Sequence, residues 1–285
     1  MGTKWHEKGK KGIKCVKITQ KFGGLKSWHY FCSVKNTQRP FAMKYNKNTR
    51  KWESPFWHPA VTTDSVVFGF DGEQLNILLI QRGLEPYKNM WALPGGFMRP
   101  DDISAEACAY RELHEETDVD DIYMEELGTF SSHDRDPRER VITIAFFALV
   151  VKDRYHVKGG DDARVAKWFP VKDLPQLAFD HKEIIDTALE RLRQRIHFEP
   201  IGFHLLDKEF TMPQLHNIYI AILDPPEDDT KLRDRRNFPK KMLKLGYIKE
   251  TGKKVTGNPH RSPKLYTFDE EAYKQAKKIG MRLEF

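Results

Sequence analysis

The sequence contains few cysteines and no long apolar run. It has 3 cysteines in 285 residues, and Cys15, Cys32 and Cys108 form no even, closely spaced framework, which argues against disulfide stapling and agrees with a reducing compartment. No stretch approaches the ~20 consecutive apolar residues that span a bilayer. The first residues, Met1 to Glu7, lack the apolar segment of a secretion signal. We therefore expect a cytoplasmic protein that does not partner a membrane.

The sequence does have the apolar content of a folded protein, and its charge is divided unevenly. Hydrophobic residues make up 39% and charged residues 31%, which excludes a wholly disordered chain, and the length predicts two or three domains. Residues 1–60 carry 14 Lys and Arg against 2 Asp and Glu, residues 61–199 carry 17 against 27, and residues 200–285 carry 17 against 12. An acidic middle between basic ends predicts that a polyanion is bound by the ends.

Residues 1–59 predict a small, basic, β-rich module of unknown role. Lysines alternate with aromatic residues, and short strands are expected at residues 28–34 and 40–45 with a turn between 46 and 48. Three interpretations stay open. The first is a nucleic-acid-binding surface on which bases stack, and the second is an ordinary aromatic core beneath a basic surface. The third is a metal site without a Cys-x-x-Cys knuckle, formed by Cys15, His29, Cys32 and His58.

Residues 60–199 predict a mixed sheet with helices on its faces. Apolar runs typical of buried strands occupy residues 65–70, 76–80 and 141–151. Ser104 is placed to cap a helix that runs from about Ala105 to Thr117, and Asp180 with Glu183 has the spacing of a capping box for a second helix. Strands alternating with helices indicate a layered α+β domain.

Residues 200–285 predict a winged helix. Thr211 and Gln214 have the capping-box spacing at the start of an apolar helix that ends near Leu223. A second helix carries Phe238 and ends at Gly246, which suits a helix C-terminus. Strands at 247–250 and 264–268 follow, joined by a basic loop. Helix, helix and hairpin in this order are typical of a winged helix.

The residues with the clearest chemistry lie on the first helix. Glu112, Glu115 and Glu116 occupy positions i, i+3 and i+4, so three carboxylates share one helix face and repel one another unless a cation is bound. Hard divalent cations take oxygen ligands from carboxylates and substrate phosphates, so the cluster predicts a metal–diphosphate site. We expect Arg111 to pair with an acidic group that holds the helix.

This segment resembles the Nudix family, whose motif reads Gly, five residues, Glu, seven residues, Arg-Glu, an aliphatic residue, any residue, Glu-Glu, any residue, Gly and an aliphatic residue. The chain matches it at Gly96, Arg111-Glu112-Leu113, Glu115-Glu116 and Val119. It departs in three places: Asp101 or Asp102 stands where the first Glu belongs, the interval from Gly96 to Arg111 is one residue too long, and Asp118 replaces the last glycine.

The resemblance implies an α/β/α sandwich that binds a nucleoside diphosphate linked to another group. It also implies Mg²⁺ or Mn²⁺ bound by Glu112, Glu115 and Glu116, which with Arg111 are the catalytic residues if the protein is active. Residues 132–140 resemble ADP-ribose-type Nudix proteins. The candidates for binding the ligand are Arg82, Gly95, Gly96, Phe97, Arg135 and Arg138.

A Nudix-like core followed by a linking helix and a winged helix resembles the Nudix-related transcriptional regulators of bacteria, over about residues 58–270. That resemblance implies a homodimer that presents two winged helices to double-stranded operator DNA, and a Nudix unit that senses ADP-ribose or another sugar-type metabolite. Pro239 is tolerated only in the first helical turn, so we expect the N-cap of the recognition helix at Arg236 or later, with Asn237 the best candidate.

Basic residues cluster at the two places a winged helix uses for DNA. Those ahead of the recognition helix are expected to bind phosphate: Arg233, Arg235 and Arg236. Those within it, with its first polar residue, are expected to face the groove: Asn237, Lys240, Lys241 and Lys244. The wing is expected to reach the backbone or the minor groove through Lys253, Lys254, His260 and Arg261.

Two functions compete. The first is a transcription factor whose Nudix unit binds a metabolite and thereby changes DNA binding. The alternative is an active metal-dependent hydrolase of an ADP-ribose-like substrate, with the winged helix as an appendage. The intact Arg-Glu-Leu-x-Glu-Glu core supports the hydrolase, whereas the one-residue insertion and the basic recognition elements favour the regulator.

Overall fold

The structure is a computed structural model that describes residues 13–22, 25–34, 44–48, 51–54, 56–160, 163–256 and 262–278. The chain forms two compact units, Met1–His58 and Pro59–Phe285. In the first unit, two antiparallel hairpins pair β1 (Ile13–Phe22) with β2 (Leu25–Val34) and β3 (Lys44–Asn46) with β4 (Lys51–Glu53). The strand expected at 28–34 lies within β2, while residues 40–43 of the other expected strand lie outside the described residues.

The second unit is built on a seven-stranded mixed sheet. Its strands are β5 (Ala60–Phe70), β6 (Leu75–Arg82), β7 (Trp91–Ala92), β8 (Gly95–Phe97), β9 (Glu125–Phe130), β10 (Val141–Val151) and β11 (Ala163–Pro170). The main order is β11-β6-β5-β10-β9, with β7 pairing β6 and β8 pairing β5. The pair β5–β10 is parallel and the others are antiparallel. The three strand runs expected from the sequence are confirmed.

One helix covers each face of this sheet. Successive side chains of a strand point to opposite faces, so Val66 and Phe68 of β5 pack with α2 (His181–Arg195), while Val67 packs with α1 (Ala105–Thr117). All three of these strand side chains are fully buried. The layers are therefore helix, sheet and helix, as the α/β/α sandwich predicts.

The remaining elements form the winged helix. They are β12 (Phe210–Thr211), α3 (Met212–Leu223), α4 (Thr230–Arg233), α5 (Asn237–Lys244), β13 (Ile248–Lys254), β14 (Lys264–Phe268) and α6 (Glu270–Lys278), with the small sheet ordered β12-β14-β13. Thr211 and Gln214 form the expected capping box. Phe238 and Met242 of α5 are buried against α3, where Phe238 meets the ring of Tyr219 at a centroid distance of 5.4 Å.

Two helix starts differ from expectation. Asp180 is the N-cap of α2, but its side chain makes no capping hydrogen bond; the predicted capping box is wrong because that carboxylate binds Arg135 instead. The N-cap of α5 is Arg236, within the expected range, but the preferred candidate, Asn237, is instead the first helical residue. The Asn237 side chain donates to Asp234 Oδ2 at 2.7 Å, so it is not the cap.

The winged helix packs directly on the Nudix-like sandwich. One apolar core runs from the α2 side of the sheet into α3 and α5. Arg193 Nε of α2 donates to the carbonyl oxygen of Ile222 at 3.0 Å, and Asn217 Nδ2 donates to that of Gly72 at 3.3 Å. In the part of the chain that the structure describes, no helix has the length and apolar character needed to cross a membrane.

Candidate functional site

Helix α1 has the limits that the sequence predicts. The Ser104 hydroxyl accepts a hydrogen bond from the Ala107 N–H at 3.0 Å. At the other end, Asp118 adopts a left-handed conformation, φ 60°, and its N–H donates to the His114 carbonyl at 2.9 Å. Aspartate is one of the few residues besides glycine that visit this region. The helix thus ends normally although Asp118 replaces the family glycine.

Arg111 pairs with Asp102 rather than Asp101. Its Nε and Nη2 atoms donate to Asp102 Oδ1 and Oδ2 at 2.9 and 2.7 Å. This two-bond pairing holds the pKa of Asp102 well below its ordinary value. Asp102 therefore takes the position of the first acidic residue of the motif. With Asp102 in that position, eight residues separate it from Arg111 where the motif has seven, so the extra residue follows Asp102. The three glutamates keep their helical spacing.

The glycine pair brings β8 against the glutamates. Gly95 N–H donates to Glu116 Oε2 at 2.8 Å. Burial, with the nearby charges of Glu112 and Asp64, raises the pKa of Glu116 to about 8. A Cβ atom at Gly96 would lie 2.7 Å from the Glu112 carboxyl carbon. Burial also raises the pKa of Glu112.

The other two carboxylates of the motif are held by arginines. Glu115 Oε1 and Oε2 accept from Arg99 Nη1 and Nη2 at 3.0 and 2.8 Å, and Glu112 Oε1 accepts from Arg111 Nη1 at 2.5 Å. Within the described ranges, no three His, Cys, Asp or Glu side chains form a group that could hold a metal ion. Carboxylate oxygens suit Mg²⁺ or Mn²⁺, but as arranged here these residues do not fit one.

A cavity of about 730 Å³ opens beside these residues, a volume within the range of small-molecule sites. Arg82 stacks on Phe179, with 4.8 Å between the guanidinium carbon and the ring centroid. Arg138 lies 5.1 Å from the ring centroid of Phe97 and 5.8 Å from that of Phe179. These distances are typical of cation–π contacts. The lining includes Gly95, Gly96, Arg99, Glu112, Glu115 and Glu116.

Arg135 lies in a buried ion-pair network on the α2 side of the cavity. Its side chain is 4% exposed. Its Nε and Nη2 atoms donate to the Asp180 carboxylate at 2.9 and 2.8 Å, and Nη2 lies 3.4 Å from Asp64 Oδ2. His181 Nδ1 accepts from the Leu93 N–H at 2.8 Å, and Nε2 lies 3.6 Å from Asp64 Oδ1. The guanidinium of Arg135 is thus already committed to protein carboxylates.

Helix α5 divides into a buried and an exposed face. Asn237, Lys240 and Lys244 are exposed, Lys241 is half-buried, and their i, i+3, i+4 and i+7 spacing puts them on one side. Arg235 and Arg236 are exposed ahead of the helix. The winged helix thus presents the cationic face that the sequence predicts for DNA.

The remaining residues expected to contact DNA are Arg233 and those of the wing, and they lie outside the exposed face of α5. Arg233 Nε and Nη2 donate to the Pro226 and Pro225 carbonyls at 2.9 and 2.5 Å, so this side chain braces the loop before α4. Lys253 and Lys254 are exposed near the end of β13. His260 and Arg261 lie outside the described residues.

Sequence reasoning did not identify several residues of the cavity. Asp64 is a charged residue within an apolar strand, which is a usable signal. Phe179 lies just before the linking helix α2 and His181 is its first residue, but the sequence alone assigned no role to either side chain. Arg99 is one of the five residues between Gly96 and Asp102, to which the motif assigns no residue type. The side chains of Cys15, His29 and Cys32 fall outside what the structure describes, so a metal site there stays a prediction.

Comparison with known proteins gives matches for both parts of the second unit. Residues 58–188 match the NUDIX domain and residues 202–268 match the NrtR DNA-binding winged helix domain. The ADPR responsive transcriptional repressor NtrR of Acinetobacter baylyi is 31% identical over 242 residues, covering 84% of this chain and 91% of that protein. The ADP-ribose pyrophosphatase of Methanocaldococcus jannaschii is 42% identical, but over 46% of this chain and 73% of that protein.

Two solved structures are similar in fold over about three quarters of this chain. NrtR of Shewanella oneidensis complexed with a 27mer DNA has a TM-score of 0.57 and 30% identity, with 75% of this chain and 95% of that chain covered. A MutT/nudix family protein of Enterococcus faecalis has a TM-score of 0.63 and 30% identity, with 78% and 91% covered. The chain belongs to the NrtR family of Nudix-related transcriptional regulators.

Proposed function

We propose that this protein is a transcriptional repressor that binds double-stranded DNA and responds to ADP-ribose. The proposal assigns ligand binding to residues 60–199 and DNA binding to residues 200–285. The observation that carries it is the match to an ADP-ribose-responsive repressor across both domains and 91% of that protein's length. A hydrolase needs no DNA-binding domain, so the presence of the winged helix favours the repressor over the hydrolase.

The cavity offers the groups that such a ligand requires. Aromatic faces at Phe97 and Phe179 suit an adenine ring, and Arg82 and Arg138 beside them supply positive charge for phosphate oxygens. Arg138 is paired with Asp136, but its side chain is 40% exposed, whereas that of Arg135 is only 4% exposed. Because Asp180 and Asp64 already hold the Arg135 guanidinium, Arg135 positions α2 under the cavity rather than contacting the ligand directly.

DNA binding is assigned to α5 and the residues ahead of it. Arg235 and Arg236 bind backbone phosphates, and Asn237, Lys240 and Lys244 face the major groove. Lys253 and Lys254 contact the backbone from the wing. The resemblance to Nudix-related regulators implies a dimer, so we also propose a homodimer, which sedimentation of the full chain measures directly. We also propose that the protein acts in the cytoplasm, as expected for a repressor like its bacterial relative.

The alternative, hydrolysis of ADP-ribose, has support from the 42% identity to a pyrophosphatase over the Nudix part. Nudix domains generally use divalent metal ions. Such an ion supplies a Lewis acid and an activated water when it is bound, and the family resemblance assigns it to Glu112, Glu115 and Glu116. Two of these three carboxylates are paired with arginines, so the residues as arranged do not fit such an ion.

A mobility shift with the protein's own upstream DNA tests the proposal. We expect a specific shift that ADP-ribose alters. The triple variant Arg235→Ala, Arg236→Ala, Lys240→Ala should lose most of the affinity. It should also reduce the salt dependence of log K by about 2, roughly one for each of the two phosphate contacts removed with Arg235 and Arg236. Lys172→Ala, Lys182→Ala and Lys274→Ala remove the same charge elsewhere and serve as the control.

A turnover assay on ADP-ribose with added Mg²⁺ or Mn²⁺ completes the test. Rapid turnover that is lost in Glu115→Gln and Glu116→Gln, together with no specific DNA shift, would establish the hydrolase instead. Unchanged DNA retention in the triple variant would exclude this face of the winged helix.

A further inference from the structure

The connection between β8 and α1 forms a tight turn that fixes Arg99. The Arg99 N–H donates to Asp102 Oδ2 at 2.7 Å, and the Asp102 N–H donates to the Arg99 carbonyl at 3.1 Å. Pro100 stands at the second position of this turn, where its fixed φ is favourable. The turn ends at Asp102, which is separated from Gly96 by the five residues of the family motif. The backbone of Arg99 is therefore held in place by the same aspartate that pairs with Arg111.

From this turn the Arg99 side chain reaches Glu115 with a matched pair of hydrogen bonds. They join Nη1 to Oε1 at 3.0 Å and Nη2 to Oε2 at 2.8 Å, so both carboxylate oxygens are engaged. Arg111 Nη1 lies 3.2 Å from the same Glu115 Oε2 and 2.5 Å from Glu112 Oε1. Two guanidinium groups thus surround two of the three carboxylates that the Nudix motif directs to a metal ion.

We propose that Arg99 replaces a divalent cation at Glu115, so that this protein binds its ligand without a metal ion. The inference rests on the proposed function, because it concerns the same cavity. A planar guanidinium matches a carboxylate at two points, whereas a metal ion can ligate Glu115 only after that pairing is broken. The positive charge of Arg99 would also repel a metal ion bound to the same Glu115 carboxylate.

The same arginine can serve the ligand. A guanidinium has five N–H donors, and the pair with Glu115 uses two of them. Arg99 is 49% exposed and lines the cavity, so its remaining donors are available to a phosphate oxygen. The Arg99 guanidinium would then supply the positive charge that a diphosphate otherwise receives from metal ions. Unlike a metal ion, it would not activate a water molecule for hydrolysis. This arrangement suits a sensor, which must release its ligand unchanged.

Binding of Mn²⁺ to the full chain, followed by electron paramagnetic resonance, tests the first step. We expect weak binding by the wild type and affinity about tenfold higher in Arg99→Gln, because the variant removes both a competing ion pair and a nearby positive charge. Arg99→Lys, which keeps the charge but not the two-point match, should fall between them. The gain should disappear in the double variant Arg99→Gln, Glu115→Gln. Lys182→Gln, which breaks the exposed pair with Asp186 on α2, is the matched control.

Calorimetric titration of ADP-ribose in EDTA and in Mn²⁺ tests the second step. We expect the same affinity in both buffers for the wild type. Tight Mn²⁺ binding by the wild type that Arg99→Gln does not change, or ADP-ribose binding that requires Mn²⁺, would overturn the inference. Absence of ADP-ribose binding in both buffers, with the expected Mn²⁺ results, would instead refute the proposed ligand and leave the competition at Glu115 in place.

Discussion

Gly95 and Gly96 are required for different reasons. A Cβ atom at Gly95 would lie 2.1 Å from the Thr63 carbonyl oxygen of β5, which is backbone and cannot move aside. A Cβ atom at Gly96 would meet the Glu112 carboxylate, which is the end of a side chain. The first glycine therefore permits two strands to approach, and the second permits a glutamate to lie over the strand.

Gly95→Ala should lower the free energy of unfolding by about 1–3 kcal/mol, the usual cost of forcing extra atoms into packed structure. Urea denaturation measures it. Gly128→Ala is a close control, because Gly128 has nearly the same φ, 155° against 157°, with no atom within 4 Å of an added Cβ. Equal losses in the two variants would show that backbone conformation, and not the contact with Thr63, decides the effect.

His181 gives the stability a dependence on pH. Burial lowers its pKa from 6.5, although the charges of Asp64 and Asp180 oppose the shift. The unfolded chain therefore binds a proton at a higher pH than the folded protein does. The contribution of a neutral His181 is present above about pH 6.5 and is lost as the pH falls through the folded-state pKa.

His181→Gln keeps an acceptor for the Leu93 N–H but removes the titration. The wild type should lose free energy of unfolding more steeply than this variant between about pH 7 and pH 5, as followed by denaturation at each pH. His133→Gln removes an exposed ring, 86% accessible, and should track the wild type. Parallel curves for wild type and His181→Gln would contradict the assigned role.

For single residues, the sequence predicted which side chains form the site better than it predicted which side chains they pair with. The i, i+3, i+4 spacing was sufficient to put Glu112, Glu115 and Glu116 on one face, because it depends only on helix geometry. The pairing of Arg111 with an acidic group followed from charge, yet the choice of Asp102 over Asp101 depended on how the loop turns. Arg99 could not be assigned, since its reach to Glu115 is set by tertiary structure.

Among the elements, α2 connects the cavity to the winged helix. Its first residues carry the buried network with Arg135, and its last turns pack on α3. The apolar runs and the Thr211 capping box predicted most elements correctly because burial and local hydrogen bonds suffice to form them. The capping box at Asp180 failed for the opposite reason: a buried arginine 45 residues away in sequence competes for the carboxylate.

Asp180→Asn tests how much the ion pair between Asp180 and Arg135 contributes to the folding free energy. The substitution leaves the Arg135 charge, 4% exposed, without its main counter-ion, and such losses cost about 3–5 kcal/mol of folding free energy. Asp186→Asn makes the same change on the exposed side of α2, where it breaks the pair with Lys182, and should cost less than about 1 kcal/mol. Thermal and urea unfolding compare the two. A similar small effect in both would mean that Arg135 finds adequate solvation without Asp180.

Over the whole molecule, the uneven distribution of charge along the sequence matches the functions proposed for the two domains. The acidic middle of the sequence contains the Nudix carboxylates, and part of the basic C-terminal charge lies on one face of α5. The largest surplus, in the first sixty residues, has no counterpart in the family matches, which begin at residue 58. Nucleic-acid binding by residues 1–59 therefore stays a prediction. The alternative interpretation, an ordinary aromatic core beneath a basic surface, is also untested.

The junction between the two domains should carry the response to ligand. If ADP-ribose changes DNA affinity by some factor, DNA must change ADP-ribose affinity by the same factor, so both titrations report one coupling free energy. Arg193→Ala removes the hydrogen bond from α2 to the end of α3 and should reduce that factor by up to about fivefold, the worth of one hydrogen bond. ADP-ribose affinity without DNA should stay unchanged. Arg191→Ala is the matched control, because Arg191 lies on the same helix but donates to Leu127 within the Nudix domain. Equal coupling in Arg193→Ala and wild type would place the communication elsewhere in the shared core.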